Sequence, residues 1–196
     1  NVAFCVSIFW FSAPSVSGLS VNNWLPTLLS DTLHMDMSKA GPLATITTAM
    51  SSFVGVLLGG YISDRWVQKN LKGRIFTAAS GLVLTIPALF LIGYGTGIVP
   101  ILTGSVLFGM GFGMFDVNNM PILCQFVSPR YRASGYGLLN LAGISAGAVI
   151  TRFLGKSVDG GSIREDFAML SVVVVVALIL QLTILKPKTI NKTDDL

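Results

Sequence analysis

The sequence predicts an all-α membrane protein with six transmembrane helices, and three observations support this fold class. The chain of 196 residues is 52% hydrophobic and only 11% charged, whereas a soluble domain is nearer a quarter charged. Its apolar residues form charge-free segments of about 20 residues or more, the length that spans a bilayer. The charged residues fall in loops between these segments. A nucleic-acid-binding protein, which gathers basic residues on one face, is therefore excluded.

Six spans follow from the apolar segments and the turns between them. The run from Ile75 to Phe115 carries no charge over 41 residues and would be about 60 Å long as one helix, twice the hydrocarbon core. It must fold back, and the glycine-rich stretch 93–97 supplies the turn. Ser38 is the expected N-cap of the second span. The predicted spans are 2–29, 41–63, 75–92, 98–127, 133–151 and 167–185, followed by a short cytoplasmic tail, 186–196.

The loop Gly59–Arg74 determines the expected orientation. It holds four basic residues and one acid, and loops with such an excess of Lys and Arg lie on the cytoplasmic side. With this loop inside, nine of the 13 basic residues are cytoplasmic and four are outside. We expect a multi-pass protein of the cell (inner or plasma) membrane, with both termini of this segment in the cytoplasm.

The same loop carries a motif. Gly60-x-x-x-Asp64-Arg65, followed by Lys69, resembles the conserved loop motif of the major facilitator superfamily. In that family the motif lies between the second and third helices of each six-helix half, which is its place here. Residues 67–68 depart from the pattern, since the chain has Val-Gln where the motif has Gly and a basic residue.

Three further segments resemble one branch of that family, the anion–cation symporters. Trp24–Thr27 (WLPT) is similar to the end of that branch's seventh helix. Phe115–Asn119 (FDVNN) and Ser128–Tyr131 (SPRY) are similar to its tenth helix and the loop that follows. The order and spacing of these segments indicate helices seven to twelve, the C-terminal half of a twelve-helix fold.

The resemblance implies a function as well as a fold. The half is expected to consist of inverted three-helix repeats and to pair with an N-terminal six-helix half within the lipid bilayer. We expect a secondary transporter that moves a small organic anion or sugar acid by alternating access, coupled to protons or sodium. No enzyme activity, cofactor, metal or nucleic acid is expected. The alternative is a membrane receptor that keeps the fold and does not transport.

Polar residues inside the fourth span are the first site candidates. Asp116, Asn118 and Asn119 lie where polar groups are costly, so they are expected to face a cavity or a partner. Asp116 and Asn119 are three residues apart and share a helix face. Asn140, on the next span, lies at a similar depth. The function expected for this group is contact with substrate or ion, and the alternative is hydrogen bonding between helices.

The first span supplies two more candidates. Phe11 and Asn22 belong to one helical stripe with Ser15 and Gly18. Such a stripe is expected to contact substrate, although a packing face of small residues has the same pattern. In the loop motif, the resemblance implies that Asp64 stabilises one conformation by contacting the other half, together with Gly60, Arg65 and Lys69; the alternative is charge that merely anchors the loop at the interface.

One motif match is rejected. Gly143-x-Ser145-x-Gly147 fits the nucleophile elbow of serine hydrolases, but that chemistry requires a base beside the serine and a strand before it. The single histidine, His34, lies in an outer loop. Small residues for close helix packing explain the match better.

Overall fold

Six long helices form the part of the chain that the structure describes. The computed structural model covers residues 2–160 and 162–184, and the expected tail 186–196 lies outside this range. The helices are α1 (Val2–Leu33), α2 (Met37–Val67), α3 (Gly73–Tyr94), α4 (Ile98–Leu123), α5 (Arg132–Asp159) and α6 (Ile163–Ile184), with a 3-10 turn at Pro129–Tyr131. The prediction of an all-α fold with six long helices is confirmed for the described residues.

The helix ends differ from the span ends expected from hydropathy. Most helices are longer than the apolar segments, because polar turns outside the hydrocarbon core continue the helix. The fourth ends earlier, at Leu123, and the Arg132 side chain donates to the carbonyl oxygens of Cys124 and Val127 beyond it, at 3.3 and 3.4 Å.

The expected N-cap of α2 was wrong. Asp36, not Ser38, caps the helix: its carboxylate accepts a 2.9 Å hydrogen bond from the backbone N–H of Ser38. Ser38 therefore lies inside the first turn, where its backbone needs an acceptor. This bond holds the pKa of the Asp36 carboxyl below its usual value, because it favours the charged form.

The packing order relates the first three helices to the last three. α1 packs on α5, as α4 packs on α2, and α1 packs on α6, as α4 packs on α3. Exchanging α1, α2 and α3 with α4, α5 and α6 turns the α1–α5 contact into the α4–α2 contact, and the α1–α6 contact into the α4–α3 contact. The α3–α6 contact is unchanged by this exchange. This arrangement is that of an inverted three-helix repeat.

Glycines allow α2 and α4 to approach closely. A methyl group placed on Gly59 of α2 would lie 2.7 Å from the Cα of Met114, and one on Gly55 would meet the carbonyl oxygen of Met110. On the α4 side, a methyl group placed on Gly109 or Gly113 would likewise come too close to backbone atoms of α2. Both helices thus present glycines four residues apart, the small-residue pattern that brings membrane helices into backbone contact.

Side chains of α6 bind both ends of α3. Gln181 is buried and donates to the carbonyl oxygen of Ile75 at 2.7 Å. Arg164 donates to the carbonyl oxygens of Gly93 and Gly95 at 2.9 and 2.6 Å. These carbonyls lie at the turn between α3 and α4, so Arg164 satisfies acceptors that the end of α3 leaves open.

The outer surface of the bundle suits hydrocarbon. Helices α2 to α6 are each long and apolar enough to cross a membrane. Large apolar side chains are exposed on all five, including Phe53, Phe90, Val99, Phe153 and Ile179. In water such a surface would be unfavourable, whereas lipid chains cover it without cost.

Candidate functional site

A cavity of about 340 Å³ lies between α1, α2 and α4. Sites for small ligands begin at about this size, roughly 300 Å³. The helices contribute small, hydroxyl, amide and aromatic side chains, and the lining carries no charge. These residues are Val21, Asn22 and Leu25 of α1, Ala44, Thr45, Thr48, Ala49 and Ser52 of α2, and Phe108, Gly109 and Phe112 of α4.

The polar groups of the cavity differ in their availability to a ligand. Asn22 and Thr45 are exposed. Thr48 is buried, and its hydroxyl donates to the carbonyl oxygen of Ala44 in its own helix at 2.8 Å. A ligand would therefore meet an amide from α1 and a hydroxyl from α2, both able to donate and to accept hydrogen bonds.

Aromatic rings form the α4 side of the cavity. Phe108 and Phe112 stack with their centroids 5.9 Å apart. Gly18 makes room for the Phe112 ring, because a methyl group there would lie 2.7 Å from it. The stripe expected on α1 thus has two roles: Gly18 packs against α4, and Asn22, one turn further along, lines the cavity.

The structure brings Asp116 and Asn119 together. The Asn119 amide donates to the Asp116 carboxylate at 3.1 Å; Asp116 is exposed and Asn119 is buried. Asn118 points elsewhere and donates to the carbonyl oxygen of Met114 at 2.9 Å. Within the described part of the chain, the side-chain oxygens of both asparagines are buried without a hydrogen-bond partner.

Phe11 and Asn140 lie at the α1–α5 contact, away from the cavity lining. Phe11 is buried and meets the Tyr136 ring edge-to-face, with centroids 6.5 Å apart. Asn140 donates to the carbonyl oxygen of Tyr136 at 3.0 Å. The structure therefore brings Phe11 and Asn140 to one tyrosine, and it gives Asn140 a partner in its own helix rather than Asn119.

The loop motif joins α2 to α3. Asp64 forms an ion pair with Arg74 at the start of α3, in which its carboxylate accepts a 2.7 Å hydrogen bond from the guanidinium. Arg65 stacks over the Tyr61 ring at 4.3 Å and shares an open surface cleft with Lys69. The motif's acid is thus paired within this chain, and two of its bases remain exposed.

Sequence reasoning missed most of the lining from α2 and α4. Thr45, Thr48 and Ser52 recur every three or four residues along α2, a polar stripe of the kind that singled out Asn22 on α1. Applying the same test to the second span would have found them. Phe108 and Phe112 gave no such signal, because aromatic residues in an apolar helix are usually packing residues.

The described residues hold no group of three or more His, Cys, Asp or Glu side chains placed to bind a metal. The chemistry that this arrangement supports is reversible binding through hydrogen bonds and aromatic faces.

Comparisons with known proteins agree with this architecture. Residues 2–194 match the Major Facilitator Superfamily. No curated protein matches the chain. Among solved structures, the chain is similar to a POT family transporter in complex with a thioalcohol-conjugated peptide, with a TM-score of 0.79 and 15% identity over 92% of this chain and 37% of that one.

Two sugar transporters are also similar. The inward-open xylose transporter XylE from E. coli has a TM-score of 0.71 and 14% identity, with 94% of this chain and 48% of that one covered. A D-xylose-proton symporter has a TM-score of 0.62 and 17% identity, with 93% and 47% covered. At these identities the likeness is one of fold. The chain spans less than half the length of each of these structures.

Proposed function

The chain belongs to the major facilitator superfamily, and we propose that it forms the C-terminal six-helix half of a secondary transporter that works by alternating access. The proposed cargo is a small organic anion or sugar acid, coupled to a proton or a sodium ion. The likeness of Phe115–Asn119 and Ser128–Tyr131 to the anion–cation symporters supports this choice of substrate class. A proton symporter of the same fold supports the coupling.

The cavity between α1, α2 and α4 is the observation that supports transport most directly. α1 and α4 are the equivalent first helices of the two repeats, and substrate sites of such transporters lie where the repeats meet. The cavity has that position, and its neutral polar lining suits the hydroxyl groups of a sugar acid. We place the protein in the cell membrane with the α2–α3 loop in the cytoplasm, opposite a six-helix N-terminal half.

The candidate residues take different parts in this proposal. We assign substrate contact to Asn22, ion or substrate contact to Asp116, and the support of Asp116 to Asn119. Phe11 packs α1 against α5 through Tyr136, whereas Asn118 and Asn140 each donate to a carbonyl oxygen of their own helix. Gly60, Asp64, Arg65 and Lys69 act in the conformational change.

Uptake into proteoliposomes that contain the full-length transporter tests the function. Labelled sugar acids and carboxylates are offered with and without a proton or sodium gradient. Asn22→Ala is compared with Asn23→Ala, because both asparagines are exposed and only Asn22 lines the cavity. Asn22→Ala should lose one hydrogen bond to the substrate, which contributes about 0.5–1.5 kcal/mol, so we expect its KM to rise about three- to tenfold. The KM of Asn23→Ala should equal that of the wild type.

Three outcomes are decisive. Accumulation driven by a gradient and weakened in Asn22→Ala supports a symporter. An equal loss of uptake in Asn22→Ala and Asn23→Ala would show that the cavity is not the substrate site. Binding without accumulation under any gradient would favour the receptor alternative.

A further inference from the structure

Asp116 is on the same helix face of α4 as two residues that line the cavity. It is the one charged residue of that helix and follows the lining residues Gly109 and Phe112 by seven and four positions. Residues at these spacings share a helix face, and the side chains of Phe112 and Asp116 are about 6 Å apart. The carboxylate is exposed and about 10 Å from the end of α4 at Leu123, so it continues the cavity surface by one helical turn.

The helices packed against α4 place their charged side chains at their ends. Those described are Asp31 of α1; Lys39, Asp64 and Arg65 of α2; Arg74 of α3; and Arg132, Arg152 and Lys156 of α5. Two of these cations have partners already, since Arg74 pairs with Asp64 and Arg132 binds the carbonyls after α4. Among the side chains that the structure describes on these helices, Tyr61 and Tyr136 are the titratable ones further inside. Within the described residues, no ion pair neutralises Asp116.

Asn119 can hold both protonation states of Asp116. In the structure its amide N–H donates to the carboxylate at 3.1 Å, which suits the ionised form. Its amide oxygen is buried without a partner among the described residues. A protonated Asp116 is an O–H donor, and a half-turn of the Asn119 amide presents that oxygen to it. The pair therefore stays hydrogen-bonded when the proton is bound and when it is released.

We infer that Asp116 is a proton-binding site whose occupancy is linked to that of an anionic substrate in the cavity. This inference rests on the proposed transport function. Because no ion pair among the described residues neutralises it, an ionised Asp116 repels an anion one or two helical turns away, and a protonated one does not. The anion therefore binds best together with a proton, which is taken from water on the loading side and returned to water on the other. By linkage, each ligand raises the affinity for the other by the same factor.

The strength of this coupling can be estimated. Two charges about 10 Å apart, at an effective dielectric constant of about 20, change the affinity for the anion about tenfold. Such a change is large enough to measure across a pH titration.

The experiment measures binding of the labelled sugar acid selected by the uptake assay, by the full-length transporter in detergent. The affinity is followed from pH about 5 to about 8. The variants are Asp116→Asn and, as a matched loss of one exposed carboxylate, Asp31→Asn. Infrared difference spectra over the same range, without substrate, report a protonated carboxyl group directly.

The wild type and Asp31→Asn are expected to bind about tenfold more weakly at high pH. Asp116→Asn is expected to bind at every pH as the wild type does at low pH, and to lose one carboxyl band from the wild-type infrared difference spectrum. Binding by the wild type that is independent of pH, or an infrared difference spectrum that Asp116→Asn leaves unchanged, would overturn the inference. Complete absence of binding and uptake in the wild type would instead overturn the proposed function. The wild-type titration keeps the test valid even if a variant does not fold.

Discussion

Asp64 and Arg74 connect the end of α2 to the start of α3 through a 2.7 Å ion pair. The two residues are ten positions apart and enclose the basic loop. The side chain of Asp64 is 66% exposed and that of Arg74 is 23% exposed. An ion pair this open to solvent adds little to the free energy of unfolding, so we look for its role in the conformational change.

Asp64→Asn separates stability from conformational change. Because exposed ion pairs contribute roughly 0.2–1 kcal/mol, we expect the thermal midpoint of the purified transporter to fall by a few degrees at most. If Asp64 stabilises one conformation by contacting the other half, we expect the transport rate to fall by much more than this small loss of stability explains. The control is Asp31→Asn, an exposed acid outside the motif. A drop in midpoint large enough to explain the lost transport would count against a conformational role.

Gly59→Ala and Gly60→Ala form a matched pair in one helical turn. At Gly59 the added methyl lies 2.7 Å from the Cα of Met114, while at Gly60 its nearest neighbour is Cγ2 of Val117, 3.9 Å away. Overpacking of the backbone contact in Gly59→Ala should cost about 1–3 kcal/mol. Gly60→Ala should be neutral or stabilising, since alanine is about 0.5–1 kcal/mol better than glycine in a helix.

Thermal unfolding in detergent distinguishes the two glycine variants. Equal destabilisation of both would show that α2 and α4 do not pack as described. If Gly60→Ala keeps its stability and loses transport, the small residue of the motif is needed against the other half.

The helices of this fold can be predicted from sequence because the bilayer leaves few alternatives. Backbone groups in hydrocarbon must bond within their own segment, so the charge-free run from Ile75 to Phe115 had to become two helices. The cavity was harder to predict. Asn22 stood out because an amide is costly in a span. The hydroxyl of Thr45 did not, because serine and threonine usually bond to their own helix, as Thr48 does.

Pairing between distant residues was the other limit. Four basic residues follow Asp64 in its loop, and only the geometry of the α2–α3 turn selects Arg74 as the partner. Asn119 and Asn140 lie at similar depths, yet each uses a partner in its own helix. Depth follows from counting residues, whereas the direction of a side chain depends on how the helices rotate against each other.

Arg164→Lys tests the contact between α6 and the α3–α4 turn. Arg164 donates through two nitrogens to the carbonyls of Gly93 and Gly95, and lysine has a single nitrogen with a different geometry. Hydrogen bonds from charged donors contribute about 1.5–3 kcal/mol; because Arg164 is half-buried, we expect a loss near the lower value. Arg152→Lys, at an exposed arginine, should change the unfolding midpoint little. Equal midpoints for both variants would show that the turn does not depend on Arg164.

Thr45→Val and Thr48→Val test which hydroxyl of α2 meets the substrate. Both residues line the cavity, but Thr48 is buried and its hydroxyl bonds to Ala44, whereas Thr45 is exposed. A ligand hydrogen bond to Thr45 contributes about 0.5–1.5 kcal/mol. Thr45→Val should therefore weaken binding of the transported sugar acid roughly three- to tenfold. Thr48→Val should alter binding less and stability more, since it removes a buried hydroxyl. Binding assays and unfolding midpoints measured on the same preparations separate these effects. A greater loss of affinity in Thr48→Val would mean that the substrate displaces its bond to Ala44 and lies deeper, between α1 and α2.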